Sequence, residues 1–193
     1  GGDFLSDTWE YDGANWVEIG DVSTPPQLYE SAMVFDSIRS NSVLFGGAAQ
    51  TLLADTWTYD GATFTHRHPA TSPVARSGHA MAFDYLRNNT IMFGGGGGTG
   101  VGFLGDTWAF DGTNWTQVLA ASPPARTLHA MAFDIGSASV ILFGGFLPGG
   151  NAANDTWLFD GSTWSQVLGA GPPGRFDHAM ENDMLRARTV LFG

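Results

Sequence analysis

Apolar and polar residues alternate along this chain in short runs, and the same runs return several times. Gly78-His79-Ala80-Met81-Ala82-Phe83 puts His79, Met81 and Phe83 on one side and only Ala80 and Ala82 on the other. That two-residue period is a β-strand, and a face kept this small suits an innermost strand where neighbouring sheets crowd together. Thr90-Ile91-Met92-Phe93 is apolar on both faces, as in a strand buried within a stack of sheets. Asp55-Thr56-Trp57-Thr58-Tyr59 points its two large rings one way and its threonines the other. Asn114-Trp115-Thr116-Gln117-Val118 is more polar, as expected of an outer edge strand. Drawn from neighbouring units, these exemplify strands a, b, c and d, the order in which such strands follow one another within a unit. No segment of useful length carries a helical period.

The unit occurs four times. Asp-Thr-Trp stands at Asp7, Asp55, Asp106 and Asp155, with spacings of 48, 51 and 49 residues. Each is followed by an Asp-Gly pair, at Asp12, Asp60, Asp111 and Asp160, and three residues after that Gly comes Trp16, Phe64, Trp115 or Trp164. Asp-Gly between strands c and d marks a tight hairpin, because Gly supplies the positive φ of such turns. Strand b closes on Phe45-Gly46-Gly47, Phe93-Gly94-Gly95 and Phe143-Gly144-Gly145, and the sequence runs from Gly1-Gly2 to Phe192-Gly193. A Pro-containing stretch leads to Arg76…His79-Ala80-Met81, Arg126…His129-Ala130-Met131 and Arg175…His178-Ala179-Met180.

A repeated four-stranded antiparallel unit of about 50 residues is the signature of a β-propeller blade. The Gly-Gly after strand b, the aromatic strand c and the Trp on strand d resemble the kelch repeat, in the bacterial variant that reads Asp-Thr-Trp-x-Phe/Tyr-Asp-Gly. The resemblance covers the whole chain as one all-β domain, residues 1–193, with repeats at about 1–45, 46–93, 94–143 and 144–193. The first repeat departs from it, with Leu28 and Ser31 where Arg and His stand elsewhere. The order of marks predicts three complete blades between an N-terminal c,d half and a C-terminal a,b half, Asp177–Glu181 with Arg188–Phe192. If the halves pair, a composite blade closes the ring. Three arrangements stay open: part of a longer kelch chain, a four-bladed ring, or an eight-bladed ring shared by a homodimer.

Composition narrows the function. The 193 residues include no Cys and no Lys, and the net charge is −11. Disulfides, zinc–thiolate sites and a Cys nucleophile are excluded, and with them the Tyr–Cys copper centre that the family resemblance would otherwise bring to mind. An acidic chain with eight cations, all Arg, carries no broad nucleic-acid footprint, and no apolar run is long enough to insert in a membrane. Twelve of the 19 acids recur at fixed positions, before Thr-Trp, before Gly and after strand a. Most of the charge therefore belongs to the framework.

The repeat separates scaffold from candidate site. Trp9, Trp57, Trp108 and Trp157 read as blade core. His79, His129 and His178 read as structural histidines with satisfied nitrogens, because Ser31 breaks any ring of four metal ligands. The Gly run 94–98 lacks the helix and the Lys of a phosphate cradle and reads as a flexible b–c loop. What varies is the b–c and d–a connections, which emerge on one face of a propeller, and loops on a rigid scaffold carry binding. The residues particular to one blade on that face are Tyr29, Glu30, Arg67, His68, Phe146, Phe176 and Asp177. In kelch proteins that bind peptides, residues near the start of strand a line the pocket. That resemblance implies a binding role for Glu30 and Asp177, two residues past the Arg position, where Gly78 and Leu128 stand in the other blades.

These features point to a non-catalytic module that holds a protein or a glycan on one face. The alternatives are a structural repeat of a surface assembly and, less favoured, a glycan-active enzyme drawing a carboxylate pair from Glu18, Glu30, Asp177 and Glu181. No motif calls for a cofactor, a metal or a catalytic residue. Two His share a face in His66-Arg67-His68, but a third metal ligand is missing from the pattern. Resemblance to bacterial proteins with this repeat implies a secreted or cell-surface location.

Overall fold

The computed structural model describes residues 5–20 and 24–193. The Gly1-Gly2 mark and part of the Gly20–Leu28 connection lie outside them. The described residues hold no helix and 18 strands. β1 (Thr8–Tyr11) and β2 (Trp16–Ile19) form a hairpin, the N-terminal c,d half. β3 (Ala32–Asp36), β4 (Asn41–Phe45), β5 (Thr56–Tyr59) and β6 (Phe64–Arg67) make the first four-stranded sheet, in sequence order. β7 (Arg76–Ser77) precedes β8 (Ala80–Asp84) and β9 (Asn89–Phe93). β10 (Gly96–Gly97) pairs with β7, so the glycine run lends its backbone to a small ribbon. β11 (Thr107–Phe110) and β12 (Trp115–Val118) complete the second sheet, β8-β9-β11-β12. The third is β13 (Ala130–Asp134), β14 (Ser139–Phe143), β15 (Thr156–Phe159) and β16 (Trp164–Val167). β17 (Ala179–Asp183) and β18 (Arg188–Phe192) form the a,b half. Among the described residues β1 pairs with β2 alone and β18 with β17 alone.

The core lies between sheets. In the third sheet Met131, Phe133, Val140, Leu142, Phe159 and Trp164 pack on Ala80, Ala82, Ile91 and Phe93 of the second. At the junction before it, Met81, Met92, Phe110 and Trp115 of the second sheet pack on Val43 and Phe45 of the first, with Ala32 and Val34 beside them. Each junction thus seats a face of large side chains on a strand a of small ones, Ala80 and Ala82 in the second sheet and Ala32 and Val34 in the first, which gives the close interdigitation that protein interiors require. The outer strand reaches furthest. Trp115 is fully buried and its Nε1 donates to Thr56 Oγ1 across the junction at 3.0 Å, and Trp164 Nε1 donates to Thr107 Oγ1 at 2.9 Å. The Thr of Asp-Thr-Trp is the acceptor that lets a tryptophan be buried without leaving its N–H unpaired. The strand-c tryptophans are not the deep core that the sequence suggests. Trp9 is 47% exposed and Trp57, Trp108 and Trp157 are only partly covered. The indoles of Trp9, Trp108 and Trp157 turn to the carboxylate two residues back, Asp7, Asp106 or Asp155.

Arg, His and Gly-Gly form a second, single device at each junction. Arg126 is fully buried and meets Asp155 with two parallel bonds of 2.6 and 2.9 Å, while its Nη1 also donates to the Gly144 carbonyl. Arg76 does the same with Asp106 and Gly94. The amide of Gly95 donates to the carbonyl of Arg126, ahead of strand a of the next sheet, and Gly47 to that of Arg76. The first Gly of each pair has positive φ, and a Cβ at Gly94 would stand 2.7 Å from the Arg126 carbonyl and 3.1 Å from His129 Cε1. Only Gly fits there. On the opposite face Arg39 lies over Gly112 and Arg87 over Gly161, the Asp-Gly glycines of the following sheet.

In the first repeat Leu28 stands where the arginine would, and Asp55 pairs instead with His66 Nε2 at 3.1 Å. His66 stacks on Trp57, whose Nε1 is left without a hydrogen-bond partner.

Removing a buried cation from its partner strands a carboxylate, at a cost of about 3 kcal/mol or more, whereas a half-exposed pair is worth about 1 kcal/mol or less. Arg126→Met is therefore expected to lower unfolding free energy by about 3 kcal/mol in urea titration, and Arg186→Met, whose ion pair with Asp183 is largely exposed, by under about 1 kcal/mol. Equal losses would show that the buried clasp is not what joins the sheets.

Candidate functional site

The start of strand a is where neighbouring repeats meet backbone to backbone. Glu30, Gly78, Leu128 and Asp177 occupy one equivalent position and all four have positive φ, at 53°, 62°, 56° and 59°. The amide of Gly78 donates to the Glu30 carbonyl at 2.9 Å, that of Leu128 to Gly78 at 2.7 Å and that of Asp177 to Leu128 at 2.8 Å. Thr127 Oγ1 adds a bond to the Gly78 carbonyl. This continuous belt links four repeats, and it forces a left-handed conformation on three residues that ordinarily avoid it. Side chains at this position are thereby held at one rim.

Beneath the belt lies a cavity of about 170 Å³ lined by Glu30, Ser31, His79, His129, Asp177 and His178, with Gly78 and Leu128 between them. Glu30 Oε2 accepts a bond from Ser77 Oγ at 2.9 Å. Neither Glu30 nor Asp177 is in an ion pair among the described residues. A second cavity, about 340 Å³, lies among the strand-a residues Met33, Phe83, Phe133 and Met180.

The histidines need a correction. They are structural in the sense that each ring packs edge-on against the phenylalanine ending the preceding strand b: His79 on Phe45, His129 on Phe93, His178 on Phe143. Their nitrogens, however, have no hydrogen-bond partner. His79 and His129 are each 6% exposed. Burial drives their pKa down to about 3, with the adjacent Arg76 or Arg126 adding to the shift, and the Phe45 or Phe93 carbonyl opposing it. Half-buried His178 is lowered too, by burial and Arg175. All three rings are neutral near pH 7. Asp106 and Asp155 shift the other way from their surroundings: burial alone would raise them, and the Arg76 and Arg126 bonds, with the indole N–H, bring them below the usual carboxylate value.

An aromatic ridge flanks the rim. Phe176 is 46% exposed and stands 5.2 Å from Phe146, which stands 6.1 Å from Phe103. Phe146 is fixed by bridges to Thr127 and Ala152, and Tyr29 by a bridge to Ala48. The structure thus gathers Tyr29, Glu30, Phe146, Phe176 and Asp177 around the start of strand a. Arg67 and His68 are elsewhere, at the end of the outermost strand of the first sheet. Arg67 Nε donates to Thr58 Oγ1 at 2.8 Å, and the His68 ring packs on His66 at 4.4 Å. Phe103 was not anticipated, since an isolated aromatic inside a glycine run shows no partner in sequence. Nor were the histidines as cavity lining. No group of three His, Asp or Glu side chains converges to hold a metal among the described residues.

A family model described as the KLHDC2/KLHL20/DRC7 Kelch-repeats domain matches residues 4–193. No curated protein matches the chain.

Folded His79 and His129 refuse protons that the unfolded chain accepts near its ordinary pKa of 6.5. The unfolded state then binds more protons, so stability is complete above about pH 6.5 and falls as pH drops towards 3. At pH 5.5 the loss is about 1.4 kcal/mol for each ring. Urea unfolding across this range is expected to show that slope, and His79→Gln with His129→Gln is expected to flatten it above pH 4.5. A slope that survives in the double variant would assign it to other groups.

Proposed function

The chain belongs to the kelch-repeat family, whose domains generally mediate protein–protein interaction, and from that premise we propose that it is a non-catalytic module binding a protein partner on the face of the b–c and d–a connections. One observation carries the reading. The framework residues repeat and are consumed by junctions, while Tyr29, Glu30, Phe146, Phe176 and Asp177 are particular to single repeats and gather at one rim. Exposed rings beside carboxylates, on a backbone held by the amide belt, are the composition of a recognition surface with little ordering cost.

A glycan is the second ligand class, favoured by the exposed ring of Phe176, since sugars stack on aromatic rings. Display outside the cell belongs to the same proposal and rests on the resemblance to bacterial proteins with this repeat. A homodimeric ring or a longer parent chain would enlarge the face without moving its parts.

The variant Tyr29→Ala/Glu30→Gln/Phe176→Ala/Asp177→Asn is expected to lose capture of a partner identified with the native chain, while its melting temperature stays unchanged. Capture at native strength would place the site on another surface. A glycan array bound by the native chain and not by this variant would select the sugar over the protein.

A further inference from the structure

The two ends of the stack carry the two halves of one more junction. Arg175 stands where Arg76 and Arg126 stand, and its head is set in the same way. Nε donates to the carbonyl two residues back, Pro173 in place of Val74 or Pro124. Nη1 donates to the carbonyl of the glycine after strand b, Gly193 in place of Gly94 or Gly144. The carboxylate that completes the clasp, Asp106 or Asp155 in the other two, has no counterpart on Arg175 among the described residues. Asp7 is the converse. It accepts the indole N–H of Trp9, as Asp106 and Asp155 accept those of Trp108 and Trp157, but no described cation pairs with it.

The neighbouring strands repeat this division. Phe192 is 84% exposed, whereas Phe45, Phe93 and Phe143 at the same place on strand b are buried. Trp16 is 65% exposed, whereas Trp115 and Trp164 are buried and donate to Thr56 and Thr107 of the sheet before. Among the described residues β18 pairs with β17 alone and β1 with β2 alone, so each presents an edge of unpaired N–H and C=O groups.

Register follows from the complete sheets, where strand b meets strand c as Phe45 opposite Thr56, Leu44 opposite Trp57 and Val43 opposite Thr58. Carried to the ends, this sets Phe192 opposite Thr8, Leu191 opposite Trp9 and Val190 opposite Glu10. A β1 so placed brings its Asp7 to Arg175 and its neighbour Trp16 over Thr156 of the third sheet. It also brings Met33 of the sheet behind it onto Val190 and Phe192, as Met81 sits on Val43 and Phe45.

The chain does not make this junction with itself in this structure. Its β1 lies beside the first sheet, where Tyr59 Oη donates to Glu10 Oε1. Strands a adjoin in series from β3 through β8 and β13 to β17, while β17 and β3 make no comparable contact, so the arc is open. Its ends are different surfaces that fit each other, the condition for heterologous association, which forms a ring when the rotation closes. A foreign strand would need Asp, Thr and Trp at the spacing this chain already holds. We propose that the free edge of β18 takes up β1 of a second copy, with Arg175 clasping that copy's Asp7, and that two copies close one ring through two such composite sheets. The contact is independent of what the rim binds.

The chain has no Cys, so introduced thiols report the contact directly. The single variants Glu10→Cys and Val190→Cys, both at exposed positions, are expected to form a disulfide-linked pair of chains when mixed and oxidised, because directly opposed residues of antiparallel strands have Cβ atoms ~4.5–5.5 Å apart. Glu10→Cys mixed with Leu191→Cys, which points to the other face, is expected to link at least tenfold more slowly. Light scattering on a size-exclusion column is expected to give twice the chain mass. Asp7→Ala, which removes a side chain exposed in the single chain, is expected to raise the dissociation constant at least tenfold. If that variant fails to fold, the mixed thiol variants decide alone. A single-chain mass, with a link inside Glu10→Cys/Val190→Cys and none between mixed single variants, would show one chain closing on itself and overturn the proposal. Equal linking at positions 190 and 191, or a dimer indifferent to Asp7→Ala, would overturn it as well.

Discussion

The seating of one sheet's large side chains on the next sheet's alanines is the contact on which this structure depends. Phe159 and Trp164 lean on each other within the third sheet, and it is the second sheet, where Ala80 and Ala82 leave room, that covers them and Phe133. A four-residue strand cannot bury its own faces, so the sheet becomes stable only as a member of a stack. The polar devices follow from that contact. Once Trp164 crosses to the next sheet, its N–H must be met there, and Thr107 meets it. Once two strand ends approach closely enough for Gly95 to bond the Arg126 carbonyl, the arginine head is enclosed, and Asp155 must accompany it. Apolar fit sets the spacing, and the hydrogen bonds and ion pairs keep that spacing from stranding polar groups.

Much of this was legible in the chain. Period-two alternation gave the strands to within a residue or two, because side-chain direction in a strand is fixed by the pleat. Asp-Gly gave the hairpins, and the recurrence of Arg and Asp marked them as framework. Which tryptophan is buried was not legible. Trp157 and Trp164 share one face, since Trp157 stands opposite Gln166 and Phe159 opposite Trp164. Alternation names the face, but the coverage of each place on it comes from another sheet. The same limit hid the second reason for glycine in Asp-Gly. Positive φ is a local demand and shows in the turn, whereas the Arg39 side chain lying over Gly112 comes from the preceding sheet.

The rim was half legible. Glu30 and Asp177 stand out because they break the repeat, and their position relative to the arginine can be counted. Their shared left-handed backbone cannot be, since only Gly78 among the four residues advertises it. The histidines mislead for a related reason. A residue that recurs looks satisfied, because a repeated defect would seem too costly to keep. In fact the imidazole recurs for its edge contact with phenylalanine and its fit over the first glycine of the preceding Gly-Gly pair, and its nitrogens are left over.

The same rings link the scaffold to the site. Each is packed for shape at a junction, with its nitrogens enclosed, and the three residues line one cavity near the start of strand a. Ser31 interrupts the row in the first repeat, and the carboxylates of Glu30 and Asp177 stand on the rim of the same cavity. The repeat thereby supplies a constant, neutral wall, and single substitutions at one backbone-locked position decide what charge faces it. Such a site can change its ligand by exchanging residues 30, 128 and 177, because the amide bonds of the belt do not use their side chains, whereas a side chain at Gly78 would meet Thr127 Oγ1. Gly78 and Leu128 leave two of the four places uncharged, which confines the negative rim to the two outer repeats and gives the site a direction along the stack.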